Sequence, residues 1–340
     1  IQGGISMREI FLGFIGTYTK KDSNGLYKFL FDSKIGKFLE TNLAFNIENP
    51  TYISLNSKSN VLFSIQGDNL EGGICSFKIN NMNLDKVYMT SDSLKPPCYI
   101  SNNNNFLFSA NYHEGVVNIY EILDDLSFKL VRSLNTKLKD SSKMHFAGLS
   151  HINNFLATCN LSLNKISMYN TTDFTKLYSI TLKNNSGPRH LVFHNSLNIV
   201  YVLTELTAEI FTLEFDDWGF NIIDNFSIYK ESREDFEGAA IHIHPSNKYI
   251  YVSERKRNSI SCYKILKDGT LSLVDTYYLD ISHPRDFTFT PDGKWIIIAS
   301  LLENKLTSYE IDLSSGSILS LSDEIKVPEP TCVIFTNKAI

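Results

Sequence analysis

One pattern recurs six times along this chain and limits its fold more than any composition figure does. Each copy opens with a short polar or proline-containing stretch and an alternating strand. A turn of Asn, Ser, Asp or Gly leads into a second apolar strand, and a polar loop leads into a third strand ending in an aromatic. The copies begin at Asn49 (NPTYISLNSKSNVLFSIQG), Pro96 (PPCYISNNNNFLFSANYHEG), Lys143 (KMHFAGLSHINNFLATCN), Gly187 (GPRHLVFHNSLNIVYVLTEL), Gly238 (GAAIHIHPSNKYIYVSERKRN) and His283 (HPRDFTFTPDGKWIIIAS). Each start follows the last by about 44–52 residues, the length of a four-stranded propeller blade. Room is left between copies for a fourth, outer strand, such as residues 85–91 or Leu271–Tyr278.

Six copies leave two fragments. EPTCVIFTN (residues 329–337) resembles the first strand of a copy, and EIFLGFIGTYT, GLYKFLFD and KFLETNLAF (within residues 9–48) resemble the second, third and fourth. Joined, they make a seventh blade from both chain ends, which closes the ring and leaves it no open edge. The expected fold class is therefore all-β: a seven-bladed β-propeller of four-stranded blades, with the N- and C-terminal strands sharing one blade. Residues 7–340 are expected to form this single domain, and residues 1–6, ahead of Met7, read as an expression remnant. No window shows sustained helical periodicity with caps, so at most a short helix or 3₁₀ turn is expected. Residues 216–237, with WGF and an acidic run, form the longest connection. They read either as an insertion over one face or as an outer strand followed by a solvated loop.

Composition excludes several classes of function. The net charge of −5 gives no electrostatic reason to expect nucleic acid. Five scattered cysteines (Cys75, Cys98, Cys159, Cys262, Cys332) form no CxxC pair, which argues against a disulfide framework or a structural zinc site and suits a reducing cytoplasm. No apolar run approaches the ~20 residues of a membrane-spanning helix, and no signal-peptide pattern is present. The chain has no GxGxxG leading a helix, no GxxxxGK[ST] and no GxSxG elbow, so no cofactor is expected.

In a propeller the first strands line the central channel, so reactive residues from distant repeats converge there. First strands carry His145, Arg189 with His190, and His242 with His244. Second-strand ends add Glu205 and the Arg255–Lys256–Arg257 run, and the last copy adds His283 and Arg285. The first two copies hold Tyr52, Tyr99 and Asn111 instead. One side of the channel is thus expected to be cationic with a single carboxylate. Glu205 sits in an apolar strand context, where it must be paired or functional; an ion pair with Arg189 or Arg255 is compatible with either. Strand histidines are commonly hydrogen-bonded structural residues, which is the expectation for His194 and His244. His151 is expected at the surface, and Lys256 and Arg257 in a solvated loop. His242 and His244 share a strand face, but no carboxylate is placed to orient them, so no metal site is expected.

Taken in order and in phase with the blades, GTYT with GLY (Gly16 to Thr19, Gly25 to Tyr27), NPTYI, SANY, GPRH with FH, AAIHIHP with YVSER, and PRDFTFTPDGK resemble the seven-bladed lactonase family. Its members include bacterial 6-phosphogluconolactonases and fungal carboxymuconate cyclases. The resemblance runs from residue 10 to about residue 335. In the cyclase branch of that family a histidine, two arginines and a glutamate are the proposed active-site set, and by motif these fall on His145, Arg189, Arg255 and Glu205. There are departures. Lys143 stands where many relatives have histidine, the usual SNR reads Ser253–Glu254–Arg255, and the late ANQ reads Ala299–Ser300–Leu301. The implied activity is hydrolysis of a sugar lactone, 6-phosphogluconolactone above all, on a small anionic substrate without metal. Arg189 and Arg255 would hold its anionic groups, and Glu205 or His145 would act as base. His190, His242, Arg285 and Asn111 are expected to contact substrate. A muconolactone cycloisomerase and a non-catalytic binding scaffold are the alternatives.

Overall fold

A computed structural model describes residues 9–56, 58, 60–68, 70–135, 141–150, 155–229 and 235–340. All of its named elements are strands, arranged as seven four-stranded antiparallel sheets. The innermost strands are Pro330–Ala339, Ile53–Asn56, Tyr99–Asn102, Met144–Leu149, Pro188–Phe193, Gly238–Ile243 and Pro284–Phe289, for blades one to seven in that order. Each touches its neighbours on both sides, so the seven close a ring. Blade one is the composite blade: Pro330–Ala339 lies inside Ile10–Thr17 and pairs with it antiparallel, Cys332 opposite Gly16 and Val333 opposite Ile15.

No blade has a core of its own. Seven apolar clusters fill the seven gaps between adjacent blades. Phe146, Ala157 and Met168 of blade four pack with Leu191, Val200 and Phe211 of blade five, and Phe29, Phe31 and Phe335 of blade one pack with Trp295 and Ile297 of blade seven. A four-stranded sheet cannot bury both faces alone, so each blade depends on two neighbours and the ring is the smallest unit with every face covered.

The chain reverses tightly at the axis by a device that recurs. Asn164, Asn258 and Asn304 adopt left-handed conformations in the turns between the second and third strands of blades four, six and seven. Their Oδ1 atoms accept the backbone N–H of Gly187 (3.0 Å), His283 (2.9 Å) and Glu329 (2.9 Å) respectively. Each of those residues also has positive φ and precedes a proline that starts the next innermost strand. Asparagine suits the position because it tolerates the left-handed region and brings its own acceptor. The brace fixes where each innermost strand begins, and that is where the candidate site lies.

In residues 216–237 the outer-strand reading holds for Phe220–Ser227, which completes blade five. Residues 230–234, including Glu231 and Glu234 of the acidic run, lie outside the described residues, as does His151.

Candidate active site

The pairing registers show why the ionisable residues gather at one end of the channel. In blades four, five and seven the register between first and second strands slips by one residue, between Met144 and Phe146, Pro188 and His190, and Pro284 and Asp286. The extra residues are His145, Arg189 and Arg285. A bulge sets two residues against one and re-aims a side chain, so consecutive residues need not alternate between opposite faces. In blade six the slip between Gly238 and Ile241 carries only Ala239 and Ala240, and that small stretch leaves space for the guanidiniums beside it.

Matching registers around the ring gives two layers. The upper layer holds Thr331, Thr51, Cys98, His145, Arg189, Ala239 and Arg285. The lower holds Cys332, Tyr52, Tyr99, Phe146, His190, Ala240 and Asp286. Above both, the residues just after the second strands include Tyr18, Tyr112, Glu205 and Arg255. Their backbone N–H groups continue the same turn, as in Glu205 to Gly187 O and Arg255 to Glu237 O.

These upper residues surround a cavity of about 550 Å³ at the channel mouth, lined by Tyr18, Lys20, Thr51, Cys98, Tyr112, His145, Arg189, Glu205, Arg255 and Arg285 among others. Five sequence candidates therefore share one pocket. Glu205 bridges the two anticipated arginines: its Oε2 accepts Arg189 Nε–H at 2.9 Å and lies 3.2 Å from Arg255 Nη2. Arg189 also donates from Nη1 to the Ala239 carbonyl, and Arg255 from Nε to the Glu237 carbonyl. The pair is thus already engaged by protein acceptors, and each guanidinium keeps one terminal nitrogen, Arg189 Nη2 and Arg255 Nη1, outside these bonds. Burial and the neighbouring Arg255 bring Arg189 down to about 10, so it is a cation at neutral pH. Glu48 and Asp68 also line the mouth, so the carboxylate expected to stand alone has company.

His145 is buried, and its Nδ1 has no hydrogen-bond partner among the described residues. Burial, reinforced by Arg189 and Arg285, holds it well below the ordinary imidazole range, so it is neutral at pH 7 and able to accept a proton. Cys98 is not a nucleophile here: burial pushes its thiol up to about 12, and its Sγ lies against the carbonyls of Ala110 and Met144.

The lower layer is a floor. Tyr52 and Tyr99 rings lie 4.5 Å apart, and Tyr99 meets Phe146 at 4.7 Å and His190 at 4.9 Å. His190 is thus beneath the cavity, against Arg189, and is not among its lining. His242 lies lower still, its Nε2 2.8 Å from the buried Asp286 Oδ1. The carboxylate that the sequence reading lacked is this one, in the PRDF motif, one residue beyond a bulge that sequence does not display. His244 bonds the Gly293 carbonyl and Ser246, and His194 Nδ1 accepts the N–H groups of Ser196 and Leu197; both are structural.

Asn111 needs correction. Its Nδ2 donates to the Lys95 carbonyl and its Oδ1 accepts the N–H groups of His113 and Glu114, so it braces a turn and does not reach the cavity. Glu254, the carboxylate next to Arg255, occupies the matching place in blade six and likewise accepts the N–H groups of Glu237 (2.6 Å) and Arg257 (2.7 Å). The last position of a second strand anchors the loop, and the next one faces the mouth.

Acid should weaken this arrangement. His145 and His190 are held well below the usual imidazole value by burial first and Arg189 second, and His283 is brought to about 4 by burial and Arg255. Below the unfolded value of about 6.5 the unfolded chain binds protons that the native state refuses, so stability falls as pH falls. Each imidazole contributes up to ~1.4 kcal/mol per pH unit in that window. Urea midpoints are expected to be level above pH 7 and to drop between pH 6.5 and 5. A midpoint unchanged over that range would mean the imidazoles are not buried as described.

A closed propeller whose axis ends in a pocket of guanidiniums, a carboxylate and a neutral imidazole defines a β-propeller protein with a polar, ionisable site at the channel mouth. The sequence pattern of the family described as lactonase, 7-bladed beta-propeller matches residues 12–335, and the chain belongs to that family, among the lactone hydrolases. It is 28% identical to a 6-phosphogluconolactonase of Bacillus subtilis, over 96% of this chain and 99% of that protein. Among solved structures it is similar to a protein from Lactobacillus plantarum at 28% identity, with a TM-score of 0.90 over 97% of this chain and 99% of the other. A periplasmic gluconolactonase from Pseudomonas aeruginosa shares the fold at 19% identity and a TM-score of 0.89, over 96% of this chain and 99% of the other.

Proposed function

We propose that this chain hydrolyses 6-phosphogluconolactone to 6-phosphogluconate, the lactone-opening step of the pentose phosphate pathway. The carrying observation is a buried, neutral imidazole with guanidinium donors around one mouth cavity. Relatives named 6-phosphogluconolactonase over nearly the whole chain support the substrate. Five free thiols suit a reducing compartment, the cytoplasm.

Ester opening needs a base for water and donors for the oxyanion. His145 takes a proton from water as the water oxygen bonds to the lactone carbonyl carbon. The oxyanion that forms is met by the uncommitted nitrogens of Arg189 and Arg255, which Glu205 holds side by side against their mutual repulsion. Collapse breaks the ring C–O bond, and the proton passes from His145 to the leaving alkoxide, which stays within the product. One water is consumed, and the carboxylic acid formed ionises at neutral pH.

The test is coupled oxidation of 6-phosphogluconate formed from freshly generated lactone, with spontaneous opening subtracted and muconolactone as a control. Turnover of muconolactone alone would make the protein a cycloisomerase. A folded protein that turns over neither would be a binding scaffold. Arg189→Ala is expected to lower kcat by about 10²–10³-fold, the scale of one lost oxyanion donor, and Arg189→Lys to recover little of it, because an ammonium cannot keep both the Glu205 bond and a second donor in place. An unchanged kcat in Arg189→Ala would remove Arg189 from the reaction centre.

A further inference from the structure

Arg285 differs from the other two guanidiniums at the mouth. Arg189 and Arg255 are bound to Glu205, whereas Arg285 meets no carboxylate within ion-pair distance among the described residues, although it lines the same cavity. Its guanidinium carbon lies 5.4 Å from the centroid of the Tyr18 ring, and Lys20 Nζ lies 4.2 Å from the same centroid. Tyr18, Lys20 and Arg285 all line the pocket. Two cations therefore meet one aromatic ring, and among the described residues neither has a carboxylate within ion-pair distance, although Glu48 and Asp68 line the same cavity. The ring offers each a weak attraction, but the charges repel each other, and an anion placed between them would relieve that repulsion.

The bulge between Pro284 and Asp286 makes Arg285 the extra residue of its strand. The next residue, Asp286, is buried and held by His242 from blade six, so the backbone that carries Arg285 is pinned from below. A half-buried guanidinium fork on a fixed backbone, with an ammonium at the same aromatic ring and in the same cavity, suits a group carrying two negative charges on several oxygens. It lies in blade seven, against Tyr18 of blade one, whereas His145 comes from blade four.

We infer that Arg285, with Lys20 and the Tyr18 ring, is the subsite for the phosphoryl group of the substrate, separate from the reaction centre formed by His145, Arg189, Glu205 and Arg255. The inference rests on the proposed lactonase reading and divides the mouth in two: one part opens the ring, and the other selects phosphorylated over plain sugar lactones. Arg285 acts by binding, and Lys20, being exposed, adds a weaker, salt-sensitive attraction.

Two measurements test this. The first compares wild type and Arg285→Ala on 6-phosphogluconolactone and on glucono-lactone without phosphate. The phosphorylated lactone should lose about 10- to 100-fold more in kcat/KM than the plain one, the scale of hydrogen bonds to a charged group, chiefly through KM. Equal losses on both lactones, or none on the phosphorylated one, overturn the subsite. The second is calorimetric binding of 6-phosphogluconate and gluconate, which needs no turnover. Wild type should prefer the phosphorylated acid, and Arg285→Ala should lose that preference while keeping the thermal midpoint of the wild type; a preference kept by Arg285→Ala overturns the inference. If wild type binds 6-phosphogluconate through Arg285 yet does not open the lactone, the subsite stands and the proposed reaction falls. If it opens the lactone and Arg285→Ala shows no phosphate-selective loss, the reverse holds.

Discussion

Deleting residues 330–340 is expected to leave no folded ring. The segment supplies the innermost strand of blade one and closes the circle between the two chain ends. Val333 and Phe335 belong to the core between blades seven and one, and Cys332 to the core between blades one and two. All three are buried, at 1%, 7% and 1% exposure. Exposing side chains of this size costs ~1.5–3 kcal/mol each, and a strand's hydrogen-bond ladder is lost with them. The total approaches the whole ~5–15 kcal/mol by which a domain is stable. The truncated chain should be insoluble or lack a cooperative urea transition. Adding a peptide of residues 329–340 should restore some folded protein, because an extended peptide can fill a vacant strand position. A soluble truncation with an unchanged urea midpoint would show that blade one is complete without its last strand.

The second large effect is on catalysis. His145→Gln should lower kcat by about 10²–10⁴-fold, the usual contribution of a positioned general base, with KM little changed. Background opening of the lactone sets the floor and has to be subtracted. The pH profile separates a base from a structural histidine. Because His145 is held well below 6.5, the wild-type kcat/KM should stay level as pH falls through 6.5 and decline only further into acid. In His145→Gln that acid limb should vanish. A variant that keeps the wild-type limb, or most of kcat, would pass the role to another group at the mouth.

Much of this was legible in the linear chain because a propeller writes its fold as a period. The spacing of Asn49, Pro96, Lys143, Gly187, Gly238 and His283 marks the blades, and the split between residues 329–337 and residues 9–48 marks the closure. Glu205 stood out because a carboxylate flanked by apolar strand residues needs a partner, and it has two, in Arg189 and Arg255. The assignment of Asn111 failed where one residue of register decides the outcome. Asn111 and Glu254 fall on the last position of a second strand, where side chains brace the following turn, and Tyr112 and Arg255, one residue on, face the cavity. Lys20 carried no signal, and Tyr18 and Asp286, although they lie in the GTYT and PRDF motifs, gave no sign of their place: each differs from a surface residue of its kind only by its neighbours.

The repeat length, the alternation of apolar residues and the complementary end fragments determined by themselves that the chain closes as seven blades. These are local and periodic properties, and the burial that rewards them is nearly the same in every blade. Tertiary structure alone decided which ionisable side chains meet. A one-residue slip in strand pairing turns His145, Arg189 and Arg285 toward the mouth, and the approach of blades five and six lets one carboxylate hold two guanidiniums while Arg285 stays uncommitted. Such slips and cross-blade distances arise from packing between segments far apart in the chain, so no local pattern of residues records them.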